Sequence, residues 1–246
     1  MRLLVQLGQY LQFLGKIFHR PPRRKVFRNN FITELESLGL NSVGIVVIIS
    51  VFMGAVVALQ VAYNTDNPLI PDYLVGYSTR QSMILEFSPT IIALILAGKT
   101  GSNIASEIGT MRVTEQIDAL EVMGINPASH LVLPKIIASV LVNPILVIFS
   151  IFVGTFGGWL AMVSTNMVST HDFLTGIYLD YSNYDVVYAL VKTIVFAFLI
   201  TTISGYYGYY TEGGALEVGR SSTKAVVNSS IMIIIANLVL TQILLI

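Results

Sequence analysis

One carboxylate stands where carboxylates are costly. Glu86 lies in an apolar stretch, residues 81–98, that also holds Pro89. An ionised group inside a membrane span costs about 2.5–3.5 kcal/mol on insertion scales, so it must face a cavity, a partner or the headgroup layer. Two readings stay open. Glu86 could line a substrate path and contact a headgroup or a neighbouring donor, or it could sit at headgroup level if the span begins nearer Leu85. Gln60, in the preceding apolar stretch, is a milder case. Further along, Gly98-Lys99-Thr100 imitates the end of a phosphate-binding loop, G-x-x-x-x-G-K-[ST]. That motif needs a glycine where Ala93 stands and a short strand before it, and here a long apolar segment leads in. No other nucleotide motif is visible, so any ATP used must be bound by another chain.

Other chemistry is sparse. There are no cysteines, which excludes disulfides and thiolate metal sites, and His19, His130 and His171 are scattered. Fourteen basic and fourteen acidic residues balance, which removes any global argument for a nucleic-acid partner. No catalytic constellation or cofactor site emerges.

The longest polar, charge-bearing segment between two strongly apolar ones is Leu96–Pro127. Ile104, Ile108 and Met111, then Ile117, Leu120 and Met123, recur at helical spacing, with Glu107, Arg112, Glu115, Asp118 and Glu121 between them. This predicts one or two short amphipathic helices lying on the membrane surface, with Arg112 and Glu115 placed to pair at i,i+3. Gly124 should end the run, with Pro127 just beyond. Such a segment could be a plain linker, or a docking element that seats in a groove of a soluble motor.

The positioning elements follow from composition. Of 246 residues, 54% are hydrophobic and only 11% charged, against about 25% charged in a soluble domain. The chain is therefore an all-α integral membrane protein. Residues 1–19 alternate Leu3, Leu7, Tyr10, Leu14 and Ile17 with Gln6, Gln9, Gln12 and Lys16, the pattern of an interfacial amphipathic helix ended by Pro21-Pro22. Arg20, Arg23, Arg24, Lys25 and Arg28 form a basic cluster suited to the cytoplasmic side and to anionic headgroups. Apolar segments follow at about 40–63, 81–98, 131–163, 186–210 and 225–246. They predict five spans, or six if the third is a hairpin. Pro134 is expected in the first turn of the third span and Pro144 as a kink within it. Gly54, Ala55 and Ala58, and Gly154, Gly157 and Gly158, allow close helix approach within the chain or with a second copy. With a cytoplasmic N-terminus, the outer segments are 64–80 and 164–185. Arg80 and Lys192 are then the only basic residues in or near them, leaving 14 − 2 = 12 inside. Tyr178, Tyr181 and Tyr184 fit an interfacial belt, and 209–224 forms a second cytoplasmic loop.

Three strings in this chain closely resemble the MlaE (YrbE) family of ABC-transporter permeases. They are Phe52-Met53-Gly54-x-Val56-x-Ala58-Leu59-Gln60; Glu86-x-x-Pro89; and Ala97-Gly98-Lys99-x-Gly101, continuing through Glu107-Ile108-Gly109-Thr110-Met111-Arg112-Val113-Thr114-Glu115-Gln116-Ile117-Asp118-Ala119-Leu120 to Met123-Gly124-x-Asn126-Pro127. The resemblance covers essentially the whole chain as a single permease domain: 1–30 the interfacial helix and basic segment, 40–98 the first two membrane segments, 99–128 the coupling segment and 131–246 the rest. It implies a homodimer of about five transmembrane helices per chain in a bacterial inner membrane, with the N-terminus cytoplasmic. The implied partners are a soluble ABC ATPase that holds ATP and magnesium, a periplasmic ring of MCE-domain proteins, phospholipid as cargo and room for a small STAS-type regulator. The resemblance places Glu107, Met111, Arg112, Glu115, Gln116, Asp118 and Leu120 against the ATPase, and Val57, Gln60, Leu85 and Glu86 at the lipid cavity. Many relatives carry arginine where this chain has Leu85 and Lys99. Leu85 removes a cation that could pair with Glu86 or a phosphate, which leaves a sterol or fatty acid as an alternative cargo. Outside the family reading, a proton-coupled carrier using Glu86 and a plain anchoring scaffold are the rivals.

Overall fold

The computed structural model describes residues 2–19, 24–65 and 70–245, and these are almost wholly helical, with no strand among them. Helix α1 is Arg2–Phe18. Five long helices follow: α2 (Lys25–Asn64), α3 (Tyr73–Val113), α5 (Pro127–Thr165), α7 (Asn183–Tyr209) and α8 (Ala215–Leu245). Each is long and apolar enough to cross a bilayer, which bears out the five-span expectation. Two short helices join them, α4 (Gln116–Val122) and α6 (Thr170–Tyr178). Pro21-Pro22, Arg20 and Arg23 lie outside the described residues.

Several boundaries differ from the sequence reading. The third segment is one unbroken helix, with no hairpin, and it starts at Pro127, so Pro134 lies inside it rather than in its first turn. Pro127 takes the first-turn position instead, where its missing N–H has no helical partner to lose. Segments 64–80 and 164–185 are not plain loops, since α3 takes in residues from Tyr73 and α6 occupies 170–178. The segment 209–224 is mostly helix as well, because α8 begins at Ala215. The polar stretch after Leu96 continues α3 without interruption through Val113. Its Ile104, Ala105 and Ile108 are fully buried by protein, so only α4 is a separate helix.

The chain forms two compact bodies. The first comprises Met1–Asn41, Ala93–Asn143 and Ile194–Ile246. Its core gathers Phe13 and Ile17 of α1, Ile104 and Ile108 of α3, Ile117 of α4 and Val132 of α5, all at 0% exposure. Helix α1 thus packs one edge on protein, while Leu7, Leu11 and Phe18 remain exposed in the manner of an interfacial helix. Tyr10 Oη and Thr202 Oγ1 share a 2.7 Å hydrogen bond that ties α1 to α7.

The second body comprises Ser42–Ile92 and Pro144–Thr193. Here α2 and α5 cross at glycine. A Cβ on Gly54 would lie 1.7 Å from the Gly154 carbonyl oxygen, and one on Gly157 would lie 2.3 Å from that of Val51. Only hydrogen fits at these crossings. A buried hydroxyl chain reinforces them: Ser50 Oγ donates to Ser150 Oγ at 2.7 Å, and Ser150 Oγ donates to Ser88 Oγ at 3.1 Å. Helix α6 is capped at its start by Ser169 Oγ, which accepts from the Asp172 amide at 3.1 Å. At its end the buried Arg80 guanidinium donates to the carbonyls of Ile177 (2.6 Å), Leu179 (2.9 Å) and Asp180 (3.3 Å). A cation at a helix C-terminus answers both the orphan carbonyls and the helix dipole.

Candidate cargo site and coupling segment

Glu86 sits in a π-helical turn of α3, Met83–Ile91, that contains Pro89. The carbonyl of Leu85, four residues before Pro89, lies in the same turn. Lys192 Nζ donates to that carbonyl at 3.1 Å, and it also reaches Glu86 Oε1 at 2.9 Å and Tyr188 Oη at 2.9 Å. Tyr188 and Lys192 are one turn apart on α7, with the ammonium 4.7 Å from the phenol ring centroid. Thr90 Oγ1 donates to the other carboxylate oxygen, Glu86 Oε2, at 3.3 Å. The lysine side chain is 0% exposed, whereas that of Glu86 is 42% exposed. The arrangement is therefore a buried cation beneath a carboxylate with one open face. It can hold a polar group of matching geometry without placing an uncompensated charge inside the body.

A cation thus reaches Glu86 from another helix. Lys192, tallied as a basic residue in or near the outer segments, is fully buried within α7. The available signal was a lone lysine in one apolar stretch and a lone glutamate in another. Of the other residues assigned to the cavity, Leu85 is half-buried, Val57 is buried and Gln60 is exposed one turn further along α2.

The coupling segment belongs to the first body. Helix α3 stops after Val113, and Glu115 adopts a left-handed conformation, φ 60° and ψ 12°, before α4 begins. Arg112 Nη1 spans this break to Asp118 Oδ1 at 2.5 Å, in place of the expected Arg112–Glu115 pair. Helix α4 ends as predicted on Gly124, φ +73°. The Gly124 amide donates to the Glu121 carbonyl at 2.9 Å and the Ile125 amide to that of Leu120 at 3.0 Å, the double closure of a Schellman motif. Asn126 then caps α5, its Oδ1 accepting from the Ser129 amide at 3.4 Å. Its Nδ2 donates to the Lys16 and His19 carbonyls at 2.7 and 2.6 Å, which docks the end of α1. Gly-x-Asn-Pro therefore has a separate physical task for each fixed residue.

The assigned coupling residues divide by exposure. Glu115, Gln116 and Asp118 are exposed, Met111, Arg112 and Leu120 are half-buried, and Ile117 anchors α4 at 0% exposure. Val122 and Met123 extend the open surface at 89% and 65%. Behind α4, Tyr209 Oη donates to Glu121 Oε1 at 3.0 Å. Glu107 differs from the others because its carboxylate is held by Lys135 of α5 at 2.8 Å.

The family model described as Permease MlaE matches residues 31–243. This chain belongs to the MlaE permease family. A probable ABC transporter permease protein of Rickettsia bellii is 38% identical over 98% of this chain and 93% of its own length. The chloroplastic protein trigalactosyldiacylglycerol 1 of Arabidopsis thaliana is 33% identical over 93% of this chain and 65% of its own. The intermembrane phospholipid transport system permease protein MlaE of Haemophilus influenzae is 29% identical over 93% and 87%. The MlaE-family chain described here is thus a multi-pass membrane permease of the ABC-transporter class.

Proposed function

We propose that this chain is the membrane subunit of an ATP-driven phospholipid transporter at a bacterial inner membrane. Two copies pair with a soluble ABC ATPase on the cytoplasmic side, where the N-terminus lies, and with a periplasmic MCE-domain ring; a small STAS-type regulator is compatible with the same assembly. The ATPase carries ATP and magnesium, and this chain performs no covalent chemistry. The observation that carries the reading is the construction of the segment 102–125. An exposed charged and apolar tip is braced by a buried Ile117, a closed Schellman turn and the Asn126 contacts. Such a tip transmits force only if something seats on it. ATP-driven closure would draw the two coupling segments together and expel a lipid held at the Glu86–Lys192 site. The intermembrane phospholipid transport named for the Haemophilus influenzae relative supports phospholipid as cargo. The buried lysine also sets a cation beside Glu86, where an anionic headgroup would lie.

Charge reversal at Glu115 or Arg112 in the purified complex should separate ATP hydrolysis from lipid movement. Wild-type transport and hydrolysis in such a variant would refute the coupling assignment. Mass spectrometry of lipids that co-purify with the complex tests the cargo, since a sterol or fatty acid in place of phospholipid overturns that half of the reading.

A further inference from the structure

Lys135 lies on α5 of the first body with its side chain 3% exposed. Its Nζ contacts two carboxylates from two other helices, Glu34 Oε1 at 2.5 Å and Glu107 Oε2 at 2.8 Å. Glu34 precedes the π-helical turn Glu36–Leu40 of α2, and Glu107 lies on the part of α3 that leads into the coupling segment. The two carboxylates differ in access, with side chains 15% exposed for Glu34 and 45% for Glu107. One ammonium with two acidic partners exceeds what neutrality requires. A buried pair that loses its only partner strands a charge, which is strongly destabilising. A lysine with a second carboxylate already in place can release the first without that penalty.

We propose that Lys135 is a shared counter-ion that makes the coupling segment movable. In the arrangement described, Glu107 ties α3 to α5 through Lys135; when the ATPase draws the segment away, Glu107 departs into solvent and Glu34 alone holds the ammonium. Glu107 is then a positioning residue that works through Lys135, in addition to any contact with the motor. The inference rests on the proposed ATP-driven function.

The test uses the full transporter complex in proteoliposomes, with phospholipid transfer and ATP hydrolysis measured together. E34Q leaves Glu107 as the sole ionic partner, so its release is resisted, and both rates should fall about tenfold, which corresponds to about 1.4 kcal/mol of added barrier. E107Q removes the ionic tie, so the lipid moved per ATP hydrolysed should drop about fivefold. K135R, which keeps the charge and both acceptors, should retain more than half of wild-type transfer. Equal losses in E34Q and E107Q, or wild-type lipid per ATP in E107Q, would overturn the proposal. Should either variant fail to assemble, spin labels at the exposed positions Asn103 and Ile32, in a chain free of native cysteine, report the same step. Trapping the ATPase in its closed state should change their separation, and an unchanged distance refutes the inference. The unmodified complex separates the two claims: no ATPase binding and no transfer sinks the functional reading and this inference with it, while wild-type turnover with unresponsive variants sinks this inference alone.

Discussion

Lys135 sits between two carboxylates on two helices, whereas Lys192 has one carboxylate, one phenol and one peptide carbonyl. Both lysines are almost wholly removed from water, yet their surroundings suit different tasks. Around Lys192 the neutral acceptors cannot leave, because Tyr188 is a turn away on the same helix and the Leu85 carbonyl belongs to the backbone of α3. Glu86 is held in place with one face open, which suits a site that receives a ligand. Around Lys135 the partners are redundant and sit on separate helices, which suits a joint. The difference shows that counting buried ion pairs says little until the number of alternative partners is known.

Stability measurements on the detergent-solubilised chain can break or sharpen this contrast. The largest effect is expected for E34A/E107A, which leaves a buried lysine with neither carboxylate and should cost about 3–5 kcal/mol in unfolding free energy. E86A should cost about 3 kcal/mol, the low end of that range, because Tyr188 and the Leu85 carbonyl still accept from Lys192. E107A alone should cost about 1 kcal/mol, since Glu34 remains and the lost partner is half in solvent. If E107A proves as damaging as E86A, the redundancy assigned to Lys135 is wrong. The smallest change is expected for D118N: its pair with Arg112 is exposed and should contribute about 0–1 kcal/mol, so an unfolding midpoint close to wild type is the outcome to look for.

Much of this architecture was legible in the sequence, for identifiable reasons. Five spans could be read because lipid demands long apolar runs, and the end of α4 at Gly124 could be read because few residues tolerate a left-handed backbone. Glu86 stood out as a charge in an apolar stretch. Lys192 escaped notice because a tally of basic residues by loop treats a lysine as an orientation signal and is blind to pairing across helices. The continuity of α3 was hidden for a related reason. Ser102, Asn103 and Glu107 make the segment read as a surface element, while its Ile104 and Ile108 are covered by protein rather than lipid. The left-handed Glu115 leaves no local mark, since glutamate favours helix by propensity and only tertiary context holds it otherwise.

The glycine crossing of α2 and α5 carries one further implication. With a carbonyl oxygen occupying the place a methyl group would need at Gly54, and another at Gly157, neither rod can slip lengthwise by even a single residue without driving a side chain into the opposite backbone. The two are keyed together like a splint. Whatever flexing accompanies a working cycle has to leave this crossing in register.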